Sequence, residues 1–109
     1  MSKSNYSIIW KYKVKSEKNE LFRYEYGQEG SWSKLFNESG EYQGSFLYKS
    51  TSEPNTYLLV DRWFSQQAYE SFIESKRDAY DFLSYKFKNL YESEEKIGSY
   101  DLVLPLGLD

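Results

Sequence analysis

The sequence predicts an α+β fold in which one antiparallel sheet carries its helices on a single face. Three observations lead there. A strictly alternating segment, "YSIIWKYKVK", opens the chain. Two further apolar segments, "EYQGSFLYKS" and "YLLVDRWF", are joined by a short turn. A long stretch of helical periodicity then separates that pair from a last apolar run, "KIGSYDLVL".

In the first segment Tyr6, Ile8, Trp10, Tyr12 and Val14 share one strand face. Ser7, Ile9, Lys11, Lys13 and Lys15 share the other, where the lysines read as a solvated strand end. The aromatic and β-branched content favours a strand. Ser16 is placed to cap the next element, with Glu17 in its first turn. "EKNELFRYEYGQ" spaces Phe22 and Tyr26 at i and i+4, with Leu21 beside them, and Gly27 and Gly30 punctuate its end. "SWSKLFNESG" repeats the pattern with Trp32, Leu35 and Phe36, a short second helix stopped by Gly40.

In the second strand Tyr42, Gly44, Phe46 and Tyr48 fall on one face by simple alternation. "TSEPNT", built on Pro54 and Asn55, is a turn, so the strands flanking it form an antiparallel hairpin. The third strand is apolar almost throughout, which implies burial on both faces. Ser65 caps a long or kinked helix from about Gln66 to Tyr91, carrying Ala68, Tyr69, Phe72, Ile73, Tyr80, Leu83, Phe87 and Leu90 at helical spacing. Glu92, Glu94 and Glu95 read as the solvated end of that helix. Pro105 and Gly107 close the ordered domain.

The order β-α-β-β-α-β, with one extra short helix, is the ferredoxin-like arrangement. The 109 residues suit a single domain spanning 1–109, with an ordered core of about 5–104. Helices on one face leave the other face of the sheet bare, and the apolar third strand implies that a second copy of the chain covers it as a homodimer.

Composition removes several function classes. The chain has no histidine, so Ser-His-Asp and Cys-His catalysis are excluded and the usual neutral-pH base is missing. It has no cysteine, so disulfides and thiolate metal sites are excluded too. The glycines form no phosphate-binding loop. The reading is therefore of no metal and no cofactor. A net charge of −3 argues against a nucleic-acid or membrane partner. The start "MSKSNYSIIW" lacks the apolar core of a signal peptide, and no run reaches membrane-spanning length, so the expected location is cytoplasmic. The 12 Tyr, 7 Phe and 3 Trp are many for so short a chain. They imply an aromatic-lined cavity for a flat ligand, an aromatic small molecule.

Five segments carry a resemblance that spans nearly the whole chain: "YSIIWKYKVKSEKNELF", "GQEGSWSKLF", "EYQGS", "YLLVDRWFSQQAYESF" and "EEKIGSYD". Together they resemble the antibiotic biosynthesis monooxygenase family of the dimeric α+β barrel superfamily. The resemblance implies a pocket between the sheet and its helices. In some members that pocket oxidises polycyclic phenols to quinones with oxygen and no cofactor; related members degrade haem. Trp63, followed by Phe64 and Ser65, matches a pocket tryptophan of the haem-degrading relatives. Their iron-binding histidine has no counterpart here, and Trp10 stands where they carry an asparagine. Phenol-oxidising members position substrate with Asn, Trp, Arg and Tyr, types available here as Asn37, Trp63, Arg62, Tyr26 and Tyr80. Arg62 alternates away from Trp63, toward a dimer interface or a surface ion pair.

The pocket candidates are therefore Trp10, Tyr26, Trp32, Phe36, Trp63 and Tyr80, with no residue assigned as catalytic. Each has a plain alternative as a core aromatic, and Trp63 in particular as a core or rim ring. Three functions remain open: a cofactor-independent monooxygenase of aromatic, phenolic substrates; a small-molecule binder without turnover; and a structural homodimer of the same fold.

Overall fold

The computed structural model describes residues 5–103. Pro105 and Gly107 lie outside them. Strand β1 (Tyr6–Val14) leads through a 3-10 turn to helices α1 (Asn19–Tyr26) and α2 (Ser31–Phe36). The hairpin β2 (Tyr42–Lys49) and β3 (Thr56–Trp63) follows. Helices α3 (Gln66–Ser75) and α4 (Arg77–Phe87) then lead into β4 (Tyr91–Asp101). The sheet is antiparallel throughout in the order β2-β3-β1-β4, the ferredoxin-like topology.

Alternation builds the core. Tyr6, Ile8, Tyr12 and Val14 of β1 and Tyr57, Leu59 and Trp63 of β3 are buried on the helix side. Phe22 and Tyr26 stack at 4.4 Å between ring centroids on the buried stripe of α1. Trp32, Leu35 and Phe36 anchor α2, while Phe72 and Ile73 anchor α3. Leu21, expected beside Phe22, is 46% exposed, because it lies off that stripe.

The caps are specific. Ser65 Oγ accepts the Ala68 amide at 3.0 Å and starts α3 as its position implies. Ser16 does not cap α1: a 3-10 turn, Ser16–Lys18, intervenes, and Asn19 Nδ2 instead donates to the Ser16 carbonyl. Helix α2 is capped from outside by Glu25, whose carboxylate accepts the Ser31 amide and hydroxyl at 3.1 and 2.6 Å. Gly30 makes that close approach feasible, since a Cβ there would sit 2.2 Å from the carbonyl oxygens of Tyr24 and Glu25. Asn55 holds the hairpin turn at φ 57°, and its side chain accepts from Asn19, which in turn accepts from Tyr57 Oη.

Three expected features change in the structure. The helix expected as long or kinked from Gln66 to Tyr91 is interrupted at Lys76, whose φ of −116° and ψ of 29° separate α3 from α4, and it stops short of Tyr91, in a 3-10 turn at Lys88–Leu90. Tyr91 is the first residue of β4, which starts five residues before "KIGSYD" and pairs Tyr12 with Glu94 and Lys11 with Glu95. The acidic cluster is thus part of a strand and not a helix end. Charged residues on an edge strand mask its strand character in the sequence.

The third change is in β2. Tyr42 pairs with Trp63, but Gly44 pairs with Arg62, so Gln43 is the extra residue of a β-bulge and Gly44 takes φ +117°. The bulge resets the alternation. Ser45 turns inward and is buried, while Phe46 and Tyr48 turn to the outer face. Simple alternation from Tyr42 gives the reverse.

The outer face of the sheet is uncovered in the single chain. Leu58 and Tyr48 are 40% and 58% exposed there, and Val60, Ile9 and Phe46 are half-buried beside them. Arg62 lies on this face, as alternation requires, and its Nε donates to Asn5 Oδ1 at 3.3 Å.

Candidate functional site

Between the sheet and the helices lies a cavity to which every strand and every helix contributes. Trp10 and Tyr12 of β1 meet Tyr26 of α1 there. Trp32 and Phe36 descend from α2, and Tyr69 and Tyr80 from α3 and α4. Tyr91 and Glu94 of β4 form one wall, and Ser45, Leu59 and Asp61 form the sheet side. Larger grooves lie elsewhere, one of about 380 Å³ around Tyr48 and Leu58 and one of about 350 Å³ along Ser33, Tyr42 and Ser45, and neither contains a buried carboxylate.

The structure therefore brings Trp10, Tyr26, Trp32, Phe36 and Tyr80 to one cavity. Trp63 is not among its lining. Its ring is fully buried near the end of β3, between Phe36, Tyr42, Tyr69 and Phe72 at centroid distances of 5.2 to 5.5 Å. Helices α2 and α3 close over that end of the sheet, so the inward-facing ring enters the core and not a pocket mouth. Asn37 caps the C-terminus of α2 and does not reach the cavity.

Asp61 and Glu94 supply the cavity's acidic groups. Asp61 shares the inward face of β3 with Trp63 and is 6% exposed. Ser45 Oγ donates to its Oδ1 at 2.6 Å. Tyr42 Oη pairs with Ser45 Oγ, and Ser33 Oγ lies 3.2 Å further along, completing a line of hydroxyls from α2 to the carboxylate. Burial pushes Asp61 up to about 6, against the pull of the Ser45 hydrogen bond. Glu94 is exposed at the mouth and accepts from Tyr12 Oη at 2.7 Å.

The tyrosines are held protonated. Burial first, and then the neighbouring Tyr26 and Glu94, raise Tyr12 well above the ordinary phenol range. Burial also raises Tyr26, Tyr69 and Tyr80, and Tyr91 is pushed up to about 12. At neutral pH the phenols donate and Asp61 is the buried group able to accept a proton. Trp32 Nε1 is buried with no hydrogen-bond partner. It lies beside the Tyr26 hydroxyl and favours its phenolate, but without meeting hydrogen-bond geometry. An unpaired buried donor in a cavity wall marks a place for a ligand oxygen or water.

The cavity has about 50 Å³ of space, against the roughly 150 Å³ of a protein cavity that holds benzene. In this conformation it fits water. An aromatic ligand requires the lining rings, which include Tyr80 and Trp32 edge to face at 5.1 Å, to make room.

Among the described residues, no three His, Cys, Asp or Glu side chains converge as a metal site, and no helix is long and apolar enough to cross a membrane.

Asp61, Ser45 and Glu94 were not among the sequence candidates. Asp61 carried a readable signal: it is a carboxylate two residues from Trp63 in an apolar strand, on the inward parity. Ser45 carried none, because its orientation depends on the bulge.

No family model matches the chain, and no curated protein matches it by sequence. Solved structures do. The cofactor-independent oxygenase SnoaB from Streptomyces nogalater is similar over 97% of this chain and 99% of its own, at 10% identity and a TM-score of 0.67. A candidate antibiotic biosynthesis monooxygenase from Bordetella bronchiseptica covers 94% of this chain over its full length, at 15% identity and a TM-score of 0.69. Another from Nitrosomonas europaea covers 98% of both chains, at 16% identity and a TM-score of 0.67.

Proposed function

We propose that this chain, which has the fold of the antibiotic biosynthesis monooxygenases, oxidises a phenolic aromatic substrate with molecular oxygen and without a cofactor. The observation that carries this reading is Asp61, a buried carboxylate in the wall of an aromatic cavity, pushed up to about 6 by burial. A similar fold alone does not define an activity.

Asp61 takes the phenolic proton, and the electron-rich ring of the phenolate reduces oxygen. The two recombine to form a carbon–oxygen bond para to the hydroxyl, and a proton completes the hydroperoxide. Loss of the ring C–H proton and cleavage of the O–O bond release one water and leave a quinone. The ring supplies all four electrons. Trp32 Nε1–H and the protonated tyrosines stabilise negative charge on oxygen as it develops. The apolar walls exclude water from the intermediate.

Oxygen uptake on adding a monohydric phenol, matched by quinone absorbance and lost in Asp61→Asn, is the expected result. Full uptake by Asp61→Asn removes Asp61 from the reaction, and no uptake with any phenol rejects the oxygenase reading. The small cavity volume favours one alternative, ligand binding without turnover, which tryptophan quenching without oxygen uptake would reveal.

The working unit in this proposal is a homodimer, with Leu58, Val60 and Phe46 of each copy covering the other's sheet. Light scattering at micromolar concentration should give twice the chain mass of 13.1 kDa, and Val60→Glu should reduce it to the monomer. A monomeric wild-type chain rejects it.

A further inference from the structure

We propose that the ligand of this cavity is an aromatic amine bound in its protonated, cationic form, with an oxygen acceptor elsewhere on the molecule. The inference rests on reading the cavity as the substrate site and adds the substrate's charge.

The charge is set by what lines the cavity and by what is missing from its lining. Asp61 and Glu94 contribute two carboxylates, and no Lys or Arg lines the space. Asp61 is 6% exposed, yet among the described residues its one side-chain donor is Ser45. The ion pairs of the described residues are Lys11–Glu53, Lys76–Glu38 and Arg77–Asp81, all at the surface, and none includes Asp61 or Glu94. A buried carboxylate is ordinarily paired with a cation or supplied with several donors. Here one side of it faces open space.

The nearby cations are outside the lining. Arg77 lies over the Tyr80 ring at 5.7 Å and pairs with Asp81. Lys96, opposite Trp10 in the register, is exposed and does not line the cavity. An anionic ligand would therefore meet two carboxylates and no counter-charge. A neutral one would leave the negative charge of the lining without a counter-charge.

An ammonium satisfies the site. It donates to Glu94 at the mouth, leaving Asp61 to the phenolic hydroxyl, and the faces of Trp10, Tyr80 and Tyr91 attract it through their ring quadrupoles. The oxygen acceptor comes from a second, independent observation. Trp32, 8% exposed, has its Nε1–H buried and unpartnered. That donor requires an acceptor, which an ammonium is not and a phenolic or carbonyl oxygen is.

The test compares three probes of nearly equal size on the full chain at pH 7.5 by isothermal titration calorimetry: tyramine, a cation; 4-ethylphenol, neutral; and 4-hydroxyphenylacetate, an anion. Tyramine should bind at least tenfold tighter than 4-ethylphenol, with the anion weakest. Glu94→Gln, a change at an exposed position, should narrow the gap by at least threefold. Equal or tighter binding of 4-ethylphenol overturns the inference and leaves the oxygenase reading standing. Oxygen uptake is recorded in parallel with 3-(2-aminoethyl)phenol, the isomer of tyramine whose ring carbon para to the hydroxyl carries hydrogen. Tight, Glu94-dependent tyramine binding with no uptake from that isomer upholds the cationic ligand and overturns the oxygenase reading. No binding by any of the three overturns the inference.

Discussion

Ser45 Oγ and Asp61 Oδ1 lie 2.6 Å apart across neighbouring strands, a short charge-assisted hydrogen bond in a place nearly closed to bulk water. Asp61 has no proton to give while ionised, so the Ser45 hydrogen points to it. Tyr42 must then donate to Ser45. The donors are thus ordered toward the carboxylate. Ser45→Ala removes the last of them. We expect a loss of about 1.5–3 kcal/mol at pH 7 in urea unfolding. The Asp61 carboxyl, followed by carbon NMR, should titrate above its wild-type midpoint. An unchanged midpoint would mean that Ser45 does not hold the charge.

Stability should fall as pH rises through the Asp61 transition. The folded-state pKa is raised, from 3.8 to about 6. Between those values the folded chain binds more protons than the unfolded one, so the stabilisation is complete below pH 4 and lost above pH 6. At about 1.4 kcal/mol per pH unit this amounts to roughly 3 kcal/mol. The groups facing Asp61 around the cavity are Tyr12, Tyr69 and Tyr80, protonated throughout this window, and Glu94 at the mouth. Asp61→Asn should flatten the decline and be more stable than wild type at pH 8. Parallel curves for the two proteins between pH 4 and 8 would count against a buried, raised Asp61.

Two tryptophans should separate stability from binding. Trp63 is fully buried against four rings, so Trp63→Ala should cost about 3–5 kcal/mol. Trp32→Phe keeps the ring volume approximately and removes the unpartnered N–H, so stability should change by less than about 1.5 kcal/mol while ligand affinity falls. Urea unfolding and calorimetric titration of both variants read the two effects. Equal stability losses would place both rings in the same structural role.

Gly44 at φ +117° is the pivot of the bulge in β2. Alanine there is strained whatever the space around it, and Gly44→Ala should cost about 1–3 kcal/mol. Gly40, with no atom within 4 Å of a Cβ, is the control and should change by no more than about 0.5 kcal/mol on substitution by alanine. Chemical denaturation of the pair decides the matter.

Much of the architecture was legible because each element carries its own period. The alternation in "YSIIWKYKVK", the spacing of Phe22 with Tyr26, and Ser65 as a cap are local signals, and the structure uses each of them. What stayed hidden depended on pairing. The first residues of β4 are mostly charged, so their strand state comes from hydrogen bonding to β1 and not from composition. Ser45 faces inward because one residue of β2 has no partner on β3. Of the candidate site, the rings were readable by type, whereas the carboxylates that set its charge were not. Asp61 was overlooked beside Trp63, although the same alternation brings both to the inner face.

That unpaired residue, Gln43, gives the chain an unusual kind of adjustability. Pairing it opposite Arg62, in the place Gly44 now takes, would exchange the two sides of the rest of the strand at once: Ser45 would go to the outer surface and Phe46 would come in beside Asp61. A cavity with a polar floor and one with a greasy floor are thus one step of strand register apart. A register shift at this bulge, more than substitution along the strand, is the means by which descendants of such a chain could trade one class of guest molecule for another.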